Sequence, residues 1–391
     1  MPSTSGGDTP IRPVAMQIEA SSSCQLRCPA CPTATGATRP VLGRGFLRAD
    51  DLARLLDANP AIRQVELSNY GEMFLNPELA NLLRVCHERG VAASGNNGVN
   101  LNRARPEALE AVVRYRMRVL TVSIDGASQE TYAQYRVGGD FNAAIANIER
   151  INEHKRALAI DFPKLRWQFV VFGHNEREIV AARAKAATLG MVFVPKLSWD
   201  DTMFPVRDAE AVRRAMPEAA ASRAEYRART GREYLGGICH QLWDSPQVNW
   251  DGKMLGCSRN FWGDFGGNAL ADGFLPAVNS ERMAHARAMV LGRAAPRDDV
   301  PCTTCDLYIR MRESGQFLNR DDIARGQTVS VSEAIALAAR WREAGRIAGA
   351  CFPRNPCTPA RCDYCMNCRW GRHRGRNLGL SMVTNIEIVT I

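Results

Sequence analysis

Residues 21–32 read SSSCQLRCPACP, three cysteines in a C-x3-C-x2-C run (Cys24, Cys28 and Cys31) directly after the apolar segment VAMQIEA, 14–20. A structural zinc site or a closed iron–sulfur cluster takes four thiolates. This run stops one short. The fourth ligand comes either from elsewhere in the protein or from a molecule that is not protein.

Outward from this run, strand and helix patterns alternate. VAMQIEA reads as a first buried strand ending at the cysteines. RADDLARLLDANP follows as a helix with Leu52, Leu55 and Leu56 on one face. Then come strand VELSN, helix NPELANLLRVCHERG, strand VAASGNN, helix PEALEAVVRYR with proline in its first turn, and strand VLTVSID. Helix FNAAIANIERINEHKRAL, strand LRWQFVVF, helix EREIVAARAKAATLG and strand MVFVPKLS close the series. Six βα-type units imply an α/β fold with a parallel sheet and helices outside. Periodicity does not choose between an open doubly wound sheet and an incomplete barrel, but both gather sites at the carboxyl ends of their strands. Cys24 to Cys31, Gly71-Glu72, Asn96-Asn97-Gly98, Ser123 and Asp125 all fall at such ends.

The chain has 391 residues, 46% of them hydrophobic, enough for one large domain and a smaller one. No apolar run approaches the roughly 20 residues that cross a bilayer. MPSTSGGDTPIRP lacks the apolar core of a signal peptide, so a cytoplasmic protein is expected. In a reducing compartment 13 clustered cysteines point to metal and not to disulfides. The net charge of +9 allows an acidic partner, but on charge alone a nucleic-acid partner is not expected.

Three thiolates can hold three corners of a [4Fe–4S] cube and leave one iron open to a small chelate such as a methionine moiety. With this spacing at the end of a first strand, the run resembles the signature of the radical S-adenosylmethionine enzymes. NYGEMFLNPEL resembles that family's Gly-Gly-Glu segment, with Tyr70 in place of the first glycine. SIDGASQETYAQYRVGGDFNAAIANI is similar to its fourth-strand stretch, and GNNGVNL to its third-strand Asn-Gly turn. The resemblance covers roughly 14–200 and implies a partial (β/α)6 barrel. It implies that S-adenosylmethionine is held by Gly71, Glu72 and Asn97, with Glu72 receiving the amino group. By the same resemblance Ser123 and Asp125 lie near the ribose or carboxylate, and Arg136 pairs with the carboxylate. Ala30 stands where the family usually has an aromatic. The implied reaction is reductive cleavage of S-adenosylmethionine to a 5′-deoxyadenosyl radical, which takes a hydrogen atom from the substrate. An electron donor such as flavodoxin or ferredoxin is implied as a partner.

Two further cysteine sets follow. Cys239, Cys257, Cys302 and Cys305 make a set of four, in a C-x12-G-x4-C run with a later C-x2-C. This resembles the Twitch auxiliary-cluster module, the shorter relative of SPASM, of aminocyclitol dehydrogenases; Met311 occupies the position where SPASM would continue with cysteine. A second [4Fe–4S] cluster is implied; a zinc ribbon is the alternative. CTPARCDYCMNC carries Cys357, Cys362, Cys365 and Cys368, a third cluster or a zinc site. The expected organisation is a flexible 1–13, the barrel over 14–200, a helical connection over 201–235, a small cysteine-rich α+β domain over 236–310, and a helix with a basic cysteine-rich extension over 311–391.

The expected function is oxidation of a small polar metabolite, of sugar or cyclitol type, with an electron passed to the auxiliary cluster. Gln168, Lys196, Trp199 and Asp200 are strand-end candidates for the substrate pocket, with Lys196 the candidate catalytic base. The alternatives are radical modification of a ribosomally made peptide and a non-catalytic metal-binding regulator. With about a dozen residues ahead of the first strand, a peptide substrate is expected to need a separate leader-binding protein.

Overall fold

Six strands pair side by side in chain order: β1 (Ala15–Ile18), β2 (Gln64–Glu66), β3 (Ala92–Val99), β4 (Val119–Ser123), β5 (Lys164–Val171) and β6 (Val192–Leu197), each parallel to the next. The structure, a computed structural model, describes residues 10–198, 202–216, 220–231, 233–234, 236–319 and 322–323. A doubly wound sheet reverses its strand order at a switch point. From β1 to β6 the order never reverses, so over these six strands the winding keeps one direction, as in a partial barrel. β7 (Gln247–Val248) adds to the free edge of β1 in parallel, and β8 (Met254–Gly256) closes an antiparallel hairpin on β7. The hairpin turns at Asp251-Gly252, where Gly252 adopts φ 91°. The two strands of this hairpin extend the barrel sheet.

Strand alternation builds two chemically different faces. Met16, Ile18, Val65, Leu67, Leu120, Val122, Trp167 and Phe169 are buried on one face. Trp167 there meets Phe141, the first residue of the helix Phe141–Ala157, with ring centroids 6.4 Å apart. The other face is polar. Gln17 pairs in register with Glu66, Glu66 with Ser94, Thr121 with Arg166 and Ser123 with Gln168. The sequence alternation was legible as buried strands; the polar content of the inner face follows from the register.

The connecting helices sit where the apolar spacing placed them: Ala49–Ala58, Leu79–Glu88, Pro106–Arg114, Phe141–Ala157 and Ile179–Thr188. Gly90 and Gly190 follow two of them at φ 68°, in the left-handed region that ends a helix. An additional helix, Gln129–Tyr135, lies in a stretch that carries no apolar stripe; Ser128 caps it by accepting from the Thr131 N–H. The expected third-strand turn at Asn97-Gly98 is instead an irregularity inside β3, whose register to β4 shifts between Gly95 and Val99. The connection 201–235 contains the helices Ala209–Ala215 and Arg223–Thr230. Trp199, Asp200, Cys357, Cys362, Cys365 and Cys368 lie outside the described residues. Among the described residues no helix is long and apolar enough to cross a membrane.

Trp167 is fully buried and its indole N–H donates to the Ile124 carbonyl at 2.8 Å. Trp167→Ala should cost roughly 3–5 kcal/mol, seen as a lower denaturant midpoint with the slope unchanged.

Candidate site at the mouth of the barrel

The loop after β1 carries Cys24, Cys28 and Cys31, with a tight turn in which the Cys31 N–H donates to the Cys28 carbonyl at 3.0 Å. Three neighbours fix this loop. The Arg27 N–H donates to the Val137 carbonyl at 2.9 Å, and the Glu72 N–H to the Ser23 carbonyl at 2.8 Å. Gly71 packs so closely that a Cβ there would lie 1.8 Å from the Ser21 carbonyl oxygen, so only glycine fits. Leu26, Cys28, Tyr135 and Phe172 then form a small apolar cluster of their own, with Ala30 and Phe204 packed against it.

Glu72 is buried beneath the loop. Its carboxylate accepts from the Phe74 N–H at 3.0 Å and the Asn100 N–H at 2.6 Å, and burial pushes its pKa up to about 7. Asn100 turns its side-chain amide to the Cys24 sulfur at 3.7 Å and accepts from Gln25 at 2.6 Å. On the other side, Arg136 donates through Nε to Asp125 at 2.7 Å and points Nη1 at the Cys28 sulfur, 3.8 Å away. Asp125 is fully buried and also accepts from the Val170 N–H at 2.7 Å. Ser123 accepts from Gln168 at 3.1 Å, and Asn97 donates to Gln17 and to the Ser68 carbonyl at 3.0 and 2.8 Å. The structure thus gathers Glu72 and Arg136 at the three cysteines, pairs Arg136 with Asp125, and sets Ser123 and Asn97 deeper, on the inner face.

Lys196 lies on that inner face at β6, in register with Val170 of β5. Burial, with Arg166 adding repulsion, lowers its ammonium to about 7. Glu66 opposes it, held by Ser68, Ser94 and the Asn96 N–H, while Asn96 accepts from Arg166 at 2.9 Å.

Cys239, Cys257, Cys302 and Cys305 line a single cavity with Trp262 and Tyr308 among its walls. The cavity belongs to the region of the β7–β8 hairpin and the helix Asp306–Ser314. Among the described residues, no three His, Cys, Asp or Glu side chains converge as ligands of one metal ion do.

The donor chemistry tests what these sites fit. Burial raises Cys24 to about 12, with the Glu72 charge next in weight, and raises Cys28 against the pull of Arg136. Burial likewise raises Cys257 to about 11 and pushes Cys239 and Cys302 well above the ordinary thiol range. Buried thiols packed against one another ionise only if a strong positive centre sits among them, and an all-sulfur donor set selects a soft one. Both sets therefore fit iron–sulfur chemistry.

Reasoning from the sequence missed Glu19, Asn100 and the contacts of Tyr70. Glu19 is an acid inside the apolar run VAMQIEA, fully buried, accepts from the Tyr70 N–H at 3.1 Å, and is raised to about 8 by burial. That misplaced charge was its signal. Asn100 had none beyond lying two residues past Gly98.

No family model matches the chain. It is 28% identical over 177 residues to the AdoMet-dependent heme synthase of Methanosarcina barkeri, covering 44% of this chain and 47% of the relative. It is 37% identical over 116 residues to the PqqA peptide cyclase of Ruegeria pomeroyi, covering 28% and 30%. The chain thus spans about half, or less, of the length of these curated relatives. Its fold is similar to that of SuiB of Streptococcus suis bound to S-adenosylmethionine, at 16% identity, 76% of this chain, 71% of that one and a TM-score of 0.56. In sequence over part of its length, and in fold, the chain is similar to radical S-adenosylmethionine enzymes. Against that family's pattern, the two departures noted in the sequence, Ala30 and Tyr70, both sit in the packed surroundings of the cysteine loop.

Arg136 and Asp125 form a pair with side-chain exposures of 15% and 0%. Asp125→Ala would leave a buried guanidinium uncompensated, a loss of roughly 3–5 kcal/mol, measured by denaturant unfolding at neutral pH.

Proposed function

We propose that this protein is an enzyme that uses S-adenosylmethionine and a [4Fe–4S] cluster to remove a hydrogen atom from its substrate. The observation that carries the reading is the convergence of Glu72, Asn100 and the Asp125–Arg136 pair on the three cysteines of one loop. Cys24, Cys28 and Cys31 would hold three irons, leaving the fourth for the methionine moiety. When bound, the reduced cluster and S-adenosylmethionine supply a 5′-deoxyadenosyl radical, which abstracts hydrogen from carbon. The chain's own residues orient and shield. Two of the carboxylate sites of Glu72 are taken by backbone N–H groups, which fixes its direction and leaves acceptor capacity for an amino group. Arg136, clamped by Asp125, keeps a fixed positive charge beside Cys28, suited to a carboxylate. Asn97 and Ser123 hold the polar floor beneath. The aromatic cluster of Tyr135 and Phe172 keeps water from this side of the loop.

For the net reaction we infer oxidation of a small polar metabolite of sugar or cyclitol type. Cys239, Cys257, Cys302 and Cys305 would hold a second [4Fe–4S] cluster with no open iron, suited to accepting an electron and not to binding substrate. The cavity lined by those four thiols offers the soft, all-sulfur donor set that such a cluster takes. Lys196, lowered toward 7, would accept the proton that leaves an alcohol as its carbon is oxidised. A second reading, radical modification of a ribosomally made peptide, is favoured by the PqqA peptide cyclase relative. A flavodoxin or ferredoxin would deliver the electron to the first cluster.

Anaerobically reconstituted protein, reduced with S-adenosylmethionine present, should release 5′-deoxyadenosine by mass spectrometry, and Cys28→Ala should abolish release. Silence at full cluster loading would favour the regulator reading. With a cyclitol or sugar substrate, kcat/KM should rise as pH climbs through about 7 and Lys196 loses its proton; Lys196→Met should lose the rise and about 100-fold in rate.

A further inference from the structure

We propose that Asn69 and Tyr70 form a latch that couples the two cysteine sites, so that the set around Cys257 responds to the state of the loop Cys24–Cys31. The segment 69–72 is anchored at both ends. Toward the first site, the Tyr70 carbonyl accepts from the Thr33 hydroxyl at 2.8 Å, two residues past Cys31, and the Glu72 N–H donates to the Ser23 carbonyl, next to Cys24. Gly71 between them has no room for a side chain, since a Cβ there would lie 1.8 Å from the Ser21 carbonyl oxygen. Toward the second site, the Asn69 amide donates to the Ser258 carbonyl at 2.9 Å and the Tyr70 hydroxyl donates to the Arg259 carbonyl. Those two acceptors directly follow Cys257. The Tyr70 ring meets Phe261 edge-on at 5.5 Å, and Tyr70 lies within electrostatic reach of both Cys31 and Cys257.

The connection continues to another thiol of the second set. The Arg259 guanidinium donates to Asp306 at 2.5 Å, the residue after Cys305. A continuous series of hydrogen bonds and backbone thus runs from Ser23 and Thr33 through Tyr70 and Arg259 to Asp306. It depends on a side chain at position 70. A glycine there, as in the family's pattern, would have neither the hydroxyl nor the ring. Because the glutamate proposed to take the amino group of S-adenosylmethionine is two residues from Tyr70, occupancy at Glu72 has a short, stiff route to the Cys257 loop. Coupling of this kind is a free-energy linkage between two sites through a shared element.

Two measurements on the full chain test the latch. The first needs no cluster. The amides of 258–262 are held by bonds such as Ser258 N–H to Gln241 and Asn260 N–H to the Cys257 carbonyl. In Tyr70→Phe and in Asn69→Ala, their hydrogen exchange should speed up about tenfold, while the helix Pro106–Arg114 exchanges as in the wild type. Exchange within twofold of wild type in both variants would overturn the latch. The second rests on the functional reading above. In reconstituted protein, adding S-adenosylmethionine should shift the midpoint potential of the second cluster in an electron paramagnetic resonance titration, and Tyr70→Phe should remove the shift. A wild-type potential insensitive to S-adenosylmethionine, or a shift that survives in Tyr70→Phe, would overturn the coupling. If the wild-type chain takes up no iron at Cys239, Cys257, Cys302 and Cys305, the functional reading fails, and the exchange result alone decides the latch.

Discussion

Thiols buried without a compensating charge govern this molecule. Two groups of cysteines are gathered largely out of water, and loss of solvation makes Cys24, Cys28, Cys239, Cys257 and Cys302 resist ionisation. Such an arrangement makes physical sense only around a positively charged centre, and the protein spends few charges of its own to supply one. Arg136 alone faces Cys28, and it is already balanced by Asp125. The geometry of the loops is thus built around something the polypeptide does not contain. The fold's task is to keep those loops rigid while their centre is assembled, which explains the backbone hydrogen bonds that tie Ser22, Ser23 and Arg27 to Gly45, Glu72 and Val137.

Singly wound topology is what makes that rigidity possible. Because the strands β1 to β6 follow one another in chain order, all their carboxyl ends open on one side. The loop after β1 is then met by Glu72 after β2, by Asn100 after β3, and by Arg136, which Asp125 after β4 holds against Cys28. No single bracing contact is strong; charge-assisted bonds of this kind contribute about 1.5–3 kcal/mol each at most. Their number, from different strands, fixes a loop that has almost no regular structure of its own.

Much of this was legible before any coordinates. Spaced cysteines are conspicuous, glycine-terminated helices with leucine stripes are conspicuous, and Glu72 and Arg136 sit in segments with a recognisable pattern. What could not be read was pairing across the barrel. Glu66 and Arg166 are one hundred residues apart, and nothing in VELSN or LRWQFVVF says that both face a shared interior through Ser94 and Asn96. Strand alternation announces two faces but not which of them meets water or which polar groups satisfy each other. The helix Gln129–Tyr135 was similarly silent, since it lacks an apolar stripe and depends on its Ser128 cap and on Glu178, which accepts from Ser128 and Thr131.

Positions 70 and 71 show why neighbouring residues in one motif answer to different constraints. Gly71 is dictated by distance: a methyl group would collide with the Ser21 carbonyl, so any substitution pushes the cysteine loop away from the segment that carries Glu72. Tyr70 is dictated by reach, since a long side chain is needed to span from the barrel mouth to the carbonyl of Arg259. A family in which position 70 is usually glycine leaves the two cysteine-bearing regions to be joined by other means. Here β7 already ties the second region to β1 through backbone pairing at Gln17 and Ile18. That pairing sets the two regions side by side along β1, but it involves no residue of the 69–72 segment. The tyrosine adds a contact at the site itself, and its half-buried hydroxyl finds its acceptor when the two regions are in register. Its hydrogen bond therefore acts as a check on alignment, which the hairpin alone does not provide.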